Sequence, residues 1–183
     1  NLKTDLKYFA DRTTHANKLN VVIMGRNTWE SIPDTFKPLK NRINIIISTT
    51  LENVNDDLTF VFPSLNNALL YLDNDYPKSF NDIFIIGGER LYNEALCHTK
   101  IDKLYITEVY GDFKCDKHFP NIHKLDINGN PLYNFDLISV SQFYNEDNLY
   151  FRFFVYQKDA HVTDIWKNRE EQQYIAMLDH ILE

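Results

Sequence analysis

Cysteine is scarce in this chain: Cys97 and Cys115 are the only two in 183 residues, and no Cys-x-x-Cys occurs. That argues against a disulfide framework or a zinc site, and makes a reducing compartment, by default the cytoplasm, the expectation. No metal is expected. Positive charge is short as well. The 19 Lys and Arg against 26 Asp and Glu leave a formal charge of −7, which argues against nucleic acid as a partner. Long hydrophobic runs are missing too. The longest, around Ile43–Ile47 and Ile83–Ile86, are far too short to span a bilayer. No signal peptide, internal repeat or low-complexity tract is visible. What is there is 44% apolar and 14% aromatic, enough for one globular domain with a real core.

The central stretch is Ile83–Tyr92, Ile-Phe-Ile-Ile-Gly-Gly-Glu-Arg-Leu-Tyr. Four large apolar residues in a row suit a strand buried on both faces, as in a parallel sheet covered by helices. The run stops at Gly87-Gly88, and Glu89–Cys97 then follows helical spacing. Glycine lets backbone approach a ligand, and a helix start offers N–H groups to an anion. On this motif alone, a ligand site and a plain tight turn stand level.

Leu2–Thr13 reads as a helix with Leu2, Leu6, Phe9, Ala10 and Thr13 on its apolar face. Asp5 falls at the edge of that stripe, and the residue pattern by itself has it tilting out to water. Leu19–Met24 is a short strand ending in Gly25, with Arg26-Asn27-Thr28 at the next turn; a cation and a hydroxyl there suit phosphate. Arg42–Ser48 and Thr59–Phe62 are further strands, Ser64 caps a helix to about Leu72, and Lys103–Val109 is another strand. Phe135–Tyr144 and Leu149–Lys158 read as an antiparallel hairpin about Asn145–Asn148. His161–Asn168 is a polar connector, and Arg169–Glu183 has helical spacing with Tyr174, Met177, Leu178, Ile181 and Leu182 on one side.

Together these pieces resemble dihydrofolate reductase. Asp5-Leu6-Lys7-Tyr8-Phe9 with Thr13-Thr14, the run Val22–Pro33, Pro38-Leu39-Lys40-Asn41-Arg42 and Ile85-Ile86-Gly87-Gly88 stand in that family's order and spacing, over roughly residues 2–158. The resemblance implies an α/β fold, a mostly parallel sheet flanked by helices with an antiparallel C-terminal hairpin. It also implies reduction of 7,8-dihydrofolate to tetrahydrofolate with NADPH as cofactor, and antifolates as inhibitors. Asp5 matches the acidic residue facing the pterin, where it influences delivery of a proton. Phe9 matches the ring stacked on the benzoyl portion, and Arg42 the guanidinium that binds the glutamate carboxylate. Ile32, Leu39, Ile86, Tyr92 and Thr107 are the other implied substrate contacts.

For NADPH the implied contacts are Gly25, Arg26, Asn27 and Thr28 at one turn, Gly87, Gly88, Glu89, Arg90, Leu91 and Tyr92 at the other, and Ser48 and Thr49 near the adenosine phosphate. Thr49 and Pro63 stand where vertebrate members carry basic residues, which leaves Arg26 as the clamp on the 2′-phosphate. Glu89 beside the diphosphate turn is adverse in charge, and Arg90 offsets it.

Two features concern the ends. Family members begin with a strand at the centre of the sheet and a loop over the active site, and neither precedes Asn1. The tail, Glu170-Glu171-Gln172-Gln173-Tyr174 and the helix to Glu183, resembles the opening helix of thymidylate synthase. The expectation is an internal stretch of a bifunctional polypeptide, with a reductase domain at 1–158, a linker at 159–168 and the start of a synthase at 169–183, dimeric through that synthase. A pyrimidine reductase of riboflavin synthesis, or a non-catalytic module supporting a synthase, are the rival readings. The first would not need Phe9 and Arg42 to hold a benzoylglutamate, and Asp5, Arg42 and both phosphate turns argue against the second.

Overall fold

The computed structural model describes residues 2–52, 54–74, 76–77, 79–98, 100–129, 131–159 and 174–177. Its elements in order are α1 (Lys3–Thr13), β1 (Asn20–Gly25), α2 (Arg26–Ser31), a 3-10 turn (Asp34–Phe36), β2 (Arg42–Ile47), β3 (Thr59–Phe62), α3 (Leu65–Asn74) and β4 (Ile83–Ile85). There follow α4 (Glu89–Leu96), β5 (Ile101–Tyr110), β6 (Phe135–Val140), β7 (Tyr144–Glu146), β8 (Leu149–Lys158) and β9 (Tyr174–Met177). The strands form one sheet in the order β3-β2-β1-β4-β9-β5-β8-β6, with β7 also on β8. From β3 to β5 neighbours run parallel; β8 is antiparallel to β5, β6 and β7.

Alternation along the strands divides the core. Val21, Ile23, Ile43, Ile45, Ile83 and Ile85 face α3 and α4, packed with Leu65, Leu69, Leu91 and Ala95. Val22, Met24, Ile46, Phe84 and Ile86 face the other way, with Trp29 of α2 and Tyr8 and Phe9 of α1. Both faces are covered, which is why these strands read as continuous apolar runs.

Several expectations are corrected. Leu6 is 40% exposed while Asp5 is 4% exposed, so the buried face of α1 centres on the carboxylate rather than on the aliphatic residue. The reason is Thr107 across the sheet, which gives that carboxylate a hydrogen bond. The first strand of the C-terminal hairpin is split into β6 and β7. At the break, Ser141 N–H donates to the Phe153 carbonyl, and Ser141 Oγ accepts the Phe153 N–H in place of a backbone oxygen. The turn narrows to Asp147-Asn148, both with positive φ, the backbone of a two-residue hairpin turn.

The helix expected over Arg169–Glu183 is contradicted at Tyr174–Met177, which is a strand between β4 and β5. That is where the central strand looked to be missing. Strand edges on both sides offer unpaired N–H and C=O groups, and pairing with them outweighs a helical spacing. The rest of that helix, and His161–Asn168, lie outside the described residues. No helix among the described residues is long and apolar enough to cross a membrane.

Candidate active site

The carboxyl ends of β1 and β4 lie side by side, as Gly25 N–H donates to the Gly87 carbonyl at 2.7 Å. The two glycine turns therefore form one cradle. An added Cβ on Gly88 would lie 3.3 Å from Thr28 Oγ1, and one on Gly25 3.7 Å from the Gly87 oxygen. Side chains at these positions would fill the space between the turns, so backbone is what faces it. Gly87 has φ +108°, and a Cβ there would stand 3.1 Å from the Tyr92 hydroxyl. The positive φ favours glycine, and any side chain would in addition press on the tip of Tyr92.

Gly88 of the cradle is the N-cap of α4 and gives the first N–H groups of that helix no side-chain cap. Glu89 is half-buried at its start and Arg90 is exposed, and no ion pair joins them. At the other turn Arg26 and Asn27 are exposed. Arg26 Nη1 donates to Thr50 Oγ1 at 2.8 Å, and its Nε pairs with Glu30 at 3.3 Å. Ser48 Oγ accepts the N–H groups of Thr50 and Leu51, so it shapes this turn, with Thr49 exposed at its tip.

On the α1 side of the sheet the site is apolar with two buried charges. Phe9, Ile32 and Leu39 pack around Trp29, Phe84 and Ile86. Asp5 enters from α1, and Thr107 of β5 donates to its Oδ1 at 2.7 Å. Arg42, at the start of β2, is 8% exposed. Its Nη1 donates to Thr13 Oγ1 at 2.7 Å and its Nε to the Lys40 carbonyl at 3.1 Å, with the guanidinium 5.7 Å from the Phe9 ring centre. Thr13 in turn donates to the Phe9 carbonyl at 2.8 Å. No carboxylate of the described residues pairs with this guanidinium, and burial pushes it down to about 10. It remains a cation at neutral pH, set where an external anion could meet it.

The structure thus brings Asp5, Phe9, Ile32, Leu39, Arg42, Ile86 and Thr107 together on one face. Tyr92 does not join them. It packs with Leu91 on the α3–α4 face, its ring 5.1 Å from Phe119, and the hydroxyl end of the ring reaches the Gly87 turn. Asn44 was not anticipated. Fully buried, it accepts the Leu39 N–H and donates to the Leu39 and Arg42 carbonyls, fixing the loop that carries both residues. The signal was there: one amide in the run Arg-Ile-Asn-Ile-Ile-Ile has to find partners.

The family model for dihydrofolate reductase matches residues 1–158. The chain belongs to the dihydrofolate reductase family. It is 42% identical over 125 residues to a dihydrofolate reductase of Schistosoma mansoni, covering 66% of this chain and 67% of that one. A solved structure of Schistosoma mansoni dihydrofolate reductase superposes with a TM-score of 0.72 at 37% identity, covering 86% of each chain. A bifunctional dihydrofolate reductase-thymidylate synthase of Plasmodium chabaudi is 35% identical over 169 residues, 88% of this chain and 27% of that one. Family members use NADPH as cofactor, and the glycine cradle, with backbone rather than side chains facing it, fits a diphosphate.

Proposed function

We propose that this chain reduces 7,8-dihydrofolate to tetrahydrofolate with NADPH. The observation that supports it most is the Asp5–Thr107 pair, a buried carboxylate held at 2.7 Å by a hydroxyl at the edge of an aromatic-lined face. A pterin presents a ring N–H and an amino group, both donors, and a carboxylate is their natural acceptor. Thr107 takes one acceptor position of Asp5 and so sets the plane of its carboxylate. Asp5 then orients the pterin and polarises the water that protonates N5. Phe9 stacks on the benzoyl group, Ile32, Leu39 and Ile86 exclude water, and Arg42 takes the glutamate carboxylate through its planar fork. NADPH, when bound by Gly25–Thr28 and Gly87–Leu91, supplies the hydride. A spectrophotometric assay of NADPH oxidation tests this reading. Oxidation that depends on dihydrofolate is expected, and its absence in folded protein would sink the proposal.

Arg26 is proposed as the main contact to the 2′-phosphate, with Ser48 and Thr49 on the adenosine side. Its bonds to Thr50 and Glu30 hold it at the turn. A charge-assisted hydrogen bond is worth roughly 1.5–3 kcal/mol, so Arg26→Ala should lower the preference for NADPH over NADH by about ten- to hundredfold. An unchanged ratio of kcat/KM for the two cofactors would move the clamp elsewhere.

We also propose that the polypeptide carries thymidylate synthase in addition to the reductase, and is a homodimer through that synthase. Support comes from the likeness to the bifunctional protein of Plasmodium chabaudi, which extends over 88% of this chain. Intact-mass measurement of protein purified from its source is the test. A mass near 21.7 kDa, that of these residues alone, would overturn the idea.

A further inference from the structure

Helix α1 carries Asp5 in its first turn, and that turn lacks a cap of its own. Its N-cap is Leu2, which offers no side-chain hydrogen bond and is buried instead against Phe151 and Phe153. Asp5 stands at the third helical position, where an acidic side chain commonly reaches back to the N-cap N–H. Here its Oδ1 accepts from Thr107.

The cap comes from far along the chain. The two carboxylate oxygens of Glu146, on β7, accept the backbone N–H groups of Lys3 and Thr4, the latter at 3.0 Å. These bonds, Thr4 first and Lys3 next, lower the Glu146 carboxyl from its ordinary value, so the cap is ionised at neutral pH. The same hairpin grips the helix through Leu2 and through the Tyr8 ring stacked on Phe153, centres 4.0 Å apart.

We infer that Glu146 is a positioning residue for the reductase: by capping α1 from the hairpin, it leaves the Asp5 carboxylate turned to Thr107 and to the pterin. The division of labour follows from geometry. A helix start needs acceptors for its first N–H groups. Glu146 supplies them for Lys3 and Thr4 and so ties to the hairpin the turn that carries Asp5, while Asp5 accepts from Thr107. The inference rests on the role of Asp5 proposed above.

The test uses the whole protein and variants at Glu146 and Asp5, singly and combined. Misplacement on the order of 1 Å can cost ~100-fold, so Glu146→Ala should lower kcat about tenfold or more, with affinity for NADPH unchanged. Glu146→Gln, which keeps one strong acceptor oxygen, should fall between. The deciding readout is Glu146→Ala in an Asp5→Asn background, where a residue acting through Asp5 should add less than about a twofold further loss. Equal losses in both backgrounds would mean a purely structural role, and wild-type turnover in Glu146→Ala would mean none; either overturns the inference alone. Full turnover in Asp5→Asn would remove the role of Asp5 and this inference with it. If Glu146→Ala does not fold, Glu146→Gln carries the same comparison.

Discussion

Asp5→Asn is expected to lower turnover at neutral pH by about 100-fold or more, in line with the loss of a positioned proton-handling group, while the fold is kept. The amide has nearly the shape of the carboxylate, and its oxygen can still accept the Thr107 hydroxyl that now bonds Asp5 at 2.7 Å. It cannot accept from two pterin donors or polarise a water as an anion does. Stability and NADPH affinity should therefore change little while kcat falls. A more acidic medium, which supplies protons from solvent, should recover part of the loss in the variant. Near-normal turnover at neutral pH, in protein of wild-type Tm, would rule out the assigned role.

The second large effect is expected at Arg42. Its guanidinium is buried, bonded to Thr13 and the Lys40 carbonyl, and pushed down to about 10 by burial. The sign matters: burial disfavours the charged form, so below that value the folded protein bears a cost that a carboxylate would relieve. Arg42→Lys should weaken dihydrofolate by about ten- to hundredfold, the worth of roughly 1.5–3 kcal/mol in charge-assisted hydrogen bonds. Lysine keeps the charge but lacks the planar fork. An antifolate without the glutamate tail should bind both proteins alike. Dihydrofolate should also raise the Tm of the wild type more than that of the variant. Titrations in which both ligands lose equally would count against a carboxylate contact here.

Much of the fold was legible because element identity is local. The apolar runs Asn20–Gly25, Arg42–Ile47 and Ile83–Ile85 each became a strand buried on both faces, and two of them end in the expected glycine turns. Ser64 caps α3 as its place before an apolar period suggests, accepting the Asn67 N–H. The motif spacing likewise carried the family, since four short runs in fixed order constrain the chain far more than any one.

What periodicity missed was polar. It placed Leu6 inward and Asp5 at an edge, because a carboxylate among apolar residues is costly until its partner is known. That partner, Thr107, is 102 residues away in sequence. Glu146 was passed over for the same reason, finding Thr4 across 142 residues, whereas Asn44 was overlooked although its partners Leu39 and Arg42 are close by in the chain. Tyr174–Met177 failed differently: its spacing suits a helix, yet two strand edges claim it. By itself the sequence determined the family, where glycine bends the chain, and the strands and helices of the parallel half of the sheet except Tyr174–Met177. The tertiary structure alone decided which buried polar groups meet. Hydrophobic period is a property of neighbours along the chain, whereas a buried hydrogen bond depends on who arrives from elsewhere in the fold.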